Sequence, residues 1–74
     1  MSSILLSELI VFGQTLQSIR KKSGYTQDEL CLFSNVDRSF ISELENGLKA
    51  ATFPTIISLT KALNIKVYVF MKLY

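Results

Sequence analysis

Apolar residues Leu9, Phe12, Leu16 and Ile19 recur at spacings of three and four, which predicts an amphipathic helix from about residue 8 to 22. Lys21 and Lys22 fall in its last turn and Gly24 follows, an ordinary helix stop. Thr26-Gln27-Asp28-Glu29 then reads as a capping box, with Thr26 and Glu29 each satisfying the other's backbone amide. A second helix runs from there through Leu30 to about Ser34. Asp37 is placed to cap a third, Arg38 to about Asn46, closed by Gly47. Thr52 can cap a fourth, with Pro54 in its first turn and Ile56, Leu59, Ala62 and Leu63 as its buried stripe. Asn64 suits a left-handed cap at its end.

The period changes after that. Ile65, Val67, Val69, Met71 and Leu73 alternate with Lys66, Tyr68, Phe70, Lys72 and Tyr74, which predicts a β-strand over about 65–73. Nothing else in the chain reads as a strand. Its amides and carbonyls therefore need a partner from outside, most simply the same strand of a second copy across a two-fold axis. A frayed or helical tail is the alternative.

Composition narrows the class. Seventy-four residues make one domain over 1–74, near the lower limit for a self-sufficient core, and 49% are hydrophobic against 19% charged. So apolar a short chain either buries an unusual share of its residues or covers some with a second subunit. One cysteine and no histidine exclude a disulfide framework and a His/Cys metal cluster, and the lone thiol fits a reducing cytoplasm. Ile4-Leu5-Leu6 is too short for a signal peptide, and no segment approaches a membrane span, so neither a membrane nor a small-molecule substrate is expected as a partner. The net charge of +2 says little, because residues 20–49 carry five bases and five acids. With no histidine, nucleophile elbow or phosphate-binding glycine loop, nothing points to an enzyme or a cofactor.

Two short helices joined by a tight turn, over about 26–46, form a helix-turn-helix, whose second helix can enter the major groove of DNA. Cys31 is small enough to lie inside the first helix of this unit, and Asn35 tolerates the left-handed turn position. Leu30, Val36, Ile41 and Leu44 supply the apolar lock. On the open face of the second helix, Arg38 suits bidentate hydrogen bonds to guanine O6 and N7. Ser39 and Ser42 can reach bases or phosphates. Glu43 can accept from cytosine N4 or repel wrong sequences. Phe40 either touches a thymine methyl or covers the seam between the helices. A pure protein-interaction module is the alternative outside DNA binding.

The run Gly24-Tyr25-Thr26-Gln27-Asp28-Glu29-Leu30, continued by Val36-Asp37-Arg38-Ser39-Phe40-Ile41-Ser42-Glu43-Leu44-Glu45-Asn46-Gly47, resembles the XRE/Cro-C1 family of helix-turn-helix regulators over about residues 12–63. The family usually has alanine at the position of Cys31 and glycine at that of Asn35. The resemblance implies an all-α, five-helix DNA-binding domain, here with the added C-terminal strand. It implies a homodimeric transcriptional regulator on a palindromic double-stranded DNA operator. It also implies that Gln27 touches a phosphate and buttresses the first recognition residue, that the loop of Asn46, Gly47 and Lys49 makes further phosphate contacts, and that Arg20 and Glu45 form a partly buried ion pair. Within the family, the cross-dimer strand favours a HipB-like antitoxin with a cognate toxin as partner. A controller protein of a restriction–modification system and a phage-type repressor are the alternatives.

Overall fold

Helix boundaries in this chain are set largely by how each helix closes. In a computed structural model, which describes residues 3–73 and side chains from Leu6 onward, five helices follow one another: α1 (Ser3–Lys22), α2 (Gln27–Ser34), α3 (Arg38–Glu45), α4 (Phe53–Ala62) and α5 (Val67–Leu73). After α1, Gly24 adopts φ 79°, its amide donates to Lys21 O and the amide of Tyr25 to Arg20 O. This is a Schellman closure, and it recurs after α3 at Gly47 (φ 72°) and after α4 at Asn64 (φ 56°). After α2, Asn35 at φ 59° closes the turn with one bond to Cys31 O.

At the N-termini the outcome is mixed. The capping box of α2 forms, with Thr26 Oγ1 accepting from the Glu29 amide at 3.1 Å and the Thr26 amide donating to Glu29 Oε1 at 2.9 Å. Asp37 and Thr52 occupy the predicted cap positions of α3 and α4 but make no side-chain cap bond. Asp37 Oδ2 instead accepts from the Ser39 hydroxyl, and the hydroxyls of Thr52 and Thr55 pair at 3.0 Å.

The helices bury one core, made of Phe12, Leu16 and Ile19 from α1, Leu30 from α2, Ile41 and Leu44 from α3, Leu59 and Leu63 from the α4 region and Phe70 from α5. Leu16, Leu30, Ile41 and Leu44 lose all contact with solvent. Each such burial stabilises the fold by roughly 1.5–3 kcal/mol. Cys31, Val36 and Phe40 are partly buried and pack against this core.

Two departures from the sequence reading matter. First, α1 begins at Ser3, not near residue 8. Leu6, ahead of the predicted start, is apolar yet exposed, so it does not extend the inward-facing stripe of Leu9, Phe12, Leu16 and Ile19. Second, the predicted strand is absent: residues 67–73 form α5, and the expected dimer strand Ile65, Val67, Val69, Met71 and Leu73 does not exist. A helix satisfies its own amides, as in Phe70 N–H to Lys66 O at 3.1 Å, whereas the strand had no acceptors within the chain. Burial decides the rest. Phe70, which alternation put on the polar side, is 1% exposed and meets the Phe12 ring at 5.4 Å between centroids. Ile65, Val67 and Val69 are half-buried, while Met71 and Leu73 are exposed.

Gly13, in the middle of α1, carries a constraint the sequence reading passed over. A Cβ built there would lie 2.3 Å from Leu44 O and 2.7 Å from Glu45 O, so α1 touches the backbone at the end of α3. Backbone carbonyls in a closed helix cannot give way as a flexible side chain would. Gly13→Ala should therefore destabilise the protein by about 1–3 kcal/mol, although alanine is favoured over glycine in a helix by roughly 1 kcal/mol. A urea midpoint at or above wild type would contradict that close approach.

Candidate nucleic-acid interface

The α2–turn–α3 unit is held from behind by apolar packing and from one end by a buried ionic cluster. Arg20, near the end of α1, donates through Nε to Glu45 Oε2 at 2.6 Å and through Nη2 to Glu45 Oε1 at 3.0 Å. Its Nη1 donates to Tyr25 O at 2.8 Å, which ties the same guanidinium to the loop leading into α2. The two side chains are 9% and 1% exposed. The hydrogen bond to Glu45 raises the Arg20 pKa above its ordinary value, against the opposing effect of burial and with help from the Glu45 charge. Since a raised cationic pKa costs stability only as pH climbs past it, Arg20 adds no pH dependence near neutrality.

Gln27 belongs to this cluster. Its Nε2 donates to Glu45 Oε1 at 3.0 Å, so the first residue of α2 is fastened to the last residue of α3. The family resemblance implies a phosphate contact for Gln27 and a buttressing role toward the first recognition residue, but not a bond to Glu45. Gln27 starts α2 and Glu45 ends α3, so nothing local in the sequence signals this bond.

On the outer side, Arg38 opens α3 and is well exposed, its Nε 2.5 Å from Asp28 Oδ1 in an ion pair with the first turn of α2. Ser39 is exposed beside it, while Ser42 and Glu43 are half-buried one turn on. Asn46 Nδ2 donates to Ser42 O at 2.9 Å and lies 3.4 Å from Ser42 Oγ, so the two residues form one polar ridge. Gly47 and exposed Lys49 continue the surface into the loop before α4. Arg38 and Ser39 in α3, and Asn46 and Lys49 just after it, are thus exposed and Ser42 half-buried, whereas Ile41 and Leu44 of the same helix are buried. Asp28 is the member of this surface that the sequence reading missed, because an acid in the first turn of a helix is already explained by the helix dipole.

No group of His, Cys, Asp or Glu among the described residues could hold a metal ion, and no described helix is long and apolar enough to cross a membrane.

Two short helices at this spacing, a left-handed turn at Asn35 and an exposed polar face on the second helix define a helix-turn-helix protein. The chain belongs to the helix-turn-helix family of XRE/Cro-C1 type, whose pattern matches residues 16–70. It is 38% identical over 55 residues to a competence pilus inhibition repressor of Acinetobacter baylyi, matching 74% of this chain and 50% of that protein, so it spans about half of that relative. Its fold superposes on the restriction–modification controller protein C.AhdI from Aeromonas hydrophila with a TM-score of 0.83 and 31% identity, covering 86% of this chain and 97% of that one. It matches a second restriction–modification controller protein, solved as a tetramer in complex with its natural 35 base-pair operator, with a TM-score of 0.80 and 31% identity, covering 96% of this chain and 90% of that one.

Proposed function

We propose that this chain is a sequence-specific transcriptional regulator that binds double-stranded DNA as a homodimer, in the manner of the restriction–modification controller proteins. The observation that carries this reading is the exposed polar face of α3, fixed to α2 by the buried Arg20–Glu45–Gln27 cluster and by the apolar lock behind it. In this reading Arg38 reads a guanine, with Ser39, Ser42 and Glu43 along the same groove. Asn46, Gly47 and Lys49 meet the phosphates, which set register rather than sequence. Gln27 reaches a phosphate only as far as its bond to Glu45 permits.

The restriction–modification reading now stands ahead of the HipB-like antitoxin. The antitoxin was favoured by a C-terminal strand pairing across the dimer, and α5 is a helix. Self-association through helical surfaces agrees with exposed apolar residues such as Tyr68, Met71 and Leu73 on α5. The similar controller chain that binds its operator as a tetramer supports both the DNA partner and the assembly.

Selection of duplexes from a randomised pool tests the proposal. The protein should enrich a repeat with half-sites ~10 base pairs apart, and its affinity should fall steeply with salt, because the gain from releasing the counterions condensed on DNA shrinks as bulk salt rises. A pool that stays random sinks the reading. Arg38→Ala should lose about 1–3 kcal/mol of discrimination at one guanine, read as the affinity ratio between the selected duplex and its single-base variants.

A further inference from the structure

Of the carboxylates near α3, Asp28 is the one that pairs with Arg38, while Glu43 lies half-buried in α3 itself. Glu29 is engaged in the capping box, Glu45 is buried against Arg20, and Asp37 accepts from Ser39. Asp28 has its ion pair with Arg38, and both side chains are largely in solvent, 76% and 57% exposed. An exposed pair of this kind adds little to folding. A carboxylate at the edge of a DNA-reading surface also repels phosphate, which weakens general affinity. The contact is made on the Nε side of the guanidinium, which leaves its two terminal amino groups at the exposed end of the side chain.

We propose that Asp28 is a specificity-determining residue: it holds Arg38 by its Nε edge and thereby aims the two terminal amino groups at one guanine. This inference rests on the DNA-binding reading above. Arginine has a long, flexible side chain that, unrestrained, contacts phosphates or any base bearing an acceptor. Fixed before binding, it has less freedom to lose on a guanine and less reach toward a competing group. The negative charge of Asp28 adds a penalty against binding that is driven by phosphate alone.

The test uses a duplex selected by the wild-type protein and the same duplex with the guanine read by Arg38 replaced by adenine. The readout is the ratio of the two dissociation constants. Asp28→Asn should lower this ratio about three- to fivefold, the scale of an exposed ion pair, while tightening binding to the adenine duplex and to random DNA. Asp28→Glu should restore most of the ratio. In an Arg38→Ala background, Asp28→Asn should leave the ratio unchanged. The inference is overturned if Asp28→Asn tightens every duplex by the same factor, if the ratio does not move, or if it falls equally without Arg38. Thermal melts by circular dichroism should match wild type, since both residues are exposed. A melt lowered in Asp28→Asn but not in Asp28→Glu, with neither changing the ratio, assigns Asp28 to folding and overturns the inference as well. If the wild-type protein selects no sequence, the DNA-binding reading fails, and this inference with it.

Discussion

Replacing Glu45 with alanine should remove about 3–5 kcal/mol of stability, a large share of the roughly 5–15 kcal/mol that holds a small domain folded. The reason is what the substitution leaves behind. Glu45 accepts from Arg20 Nε, Arg20 Nη2 and Gln27 Nε2, and its side chain is 1% exposed. Without it, a guanidinium stays buried with only Tyr25 O as acceptor, and Gln27 loses its bond to α3. Glu45→Gln should also destabilise, because it keeps the shape but removes the charge and turns one acceptor into a donor. A paired Arg20→Met, Glu45→Leu variant should recover much of the loss, since two apolar side chains leave no stranded charge. Urea unfolding followed by circular dichroism measures all three. A Glu45→Ala midpoint equal to wild type would mean that the cluster is not buried in solution.

Phe70→Ala should cost about 3–5 kcal/mol, the usual range for emptying a buried phenylalanine site. In a chain of this size a loss of that order lowers the melting temperature by more than about 10 °C. Phe70 is 1% exposed and packs on Phe12, so the cavity would open between α5 and α1, the shortest and longest helices of the fold. Tyr68→Ala, two residues away and 63% exposed, should change stability by no more than about 0.5 kcal/mol. The contrast separates the helix from the strand expected at first. A strand would place Tyr68 and Phe70 on the same face, and their substitutions would then have similar effects. Calorimetric melts of the two variants decide it.

Much of the fold was legible because local chemistry and global packing agreed. Thr26 and Glu29, Gly24, Asn35, Gly47 and Asn64 all sit at helix ends where their side chains or permissive backbones are needed. The failures arose where tertiary contacts chose among locally equal options. Val67 to Leu73 has one charged residue in seven, so neither period leaves a clear polar face, and the choice fell to Phe70 finding Phe12. Gly13 gave no local signal, since the carbonyls that forbid a side chain there lie more than thirty residues away. At the site, the identities of the residues on α3 could be read from the sequence, but their partners could not. Gln27 bonds Glu45 and Asp28 pairs with Arg38 because two helices meet at a particular angle.

The closure of α3 also bears on how the protein ages. Asn46 and Gly47 form an Asn–Gly dipeptide. In such a pair the unhindered glycine nitrogen readily attacks the asparagine side-chain carbonyl, giving a succinimide and then aspartate or isoaspartate. Here both reacting groups are tied down: the Gly47 amide donates to Leu44 O at 3.1 Å and Asn46 Nδ2 donates to Ser42 O at 2.9 Å. The native helix end thus slows deamidation at the dipeptide, and unfolding releases it. Chemical damage at this position would accumulate in the unfolded fraction of the protein and would leave an extra negative charge three residues before Lys49.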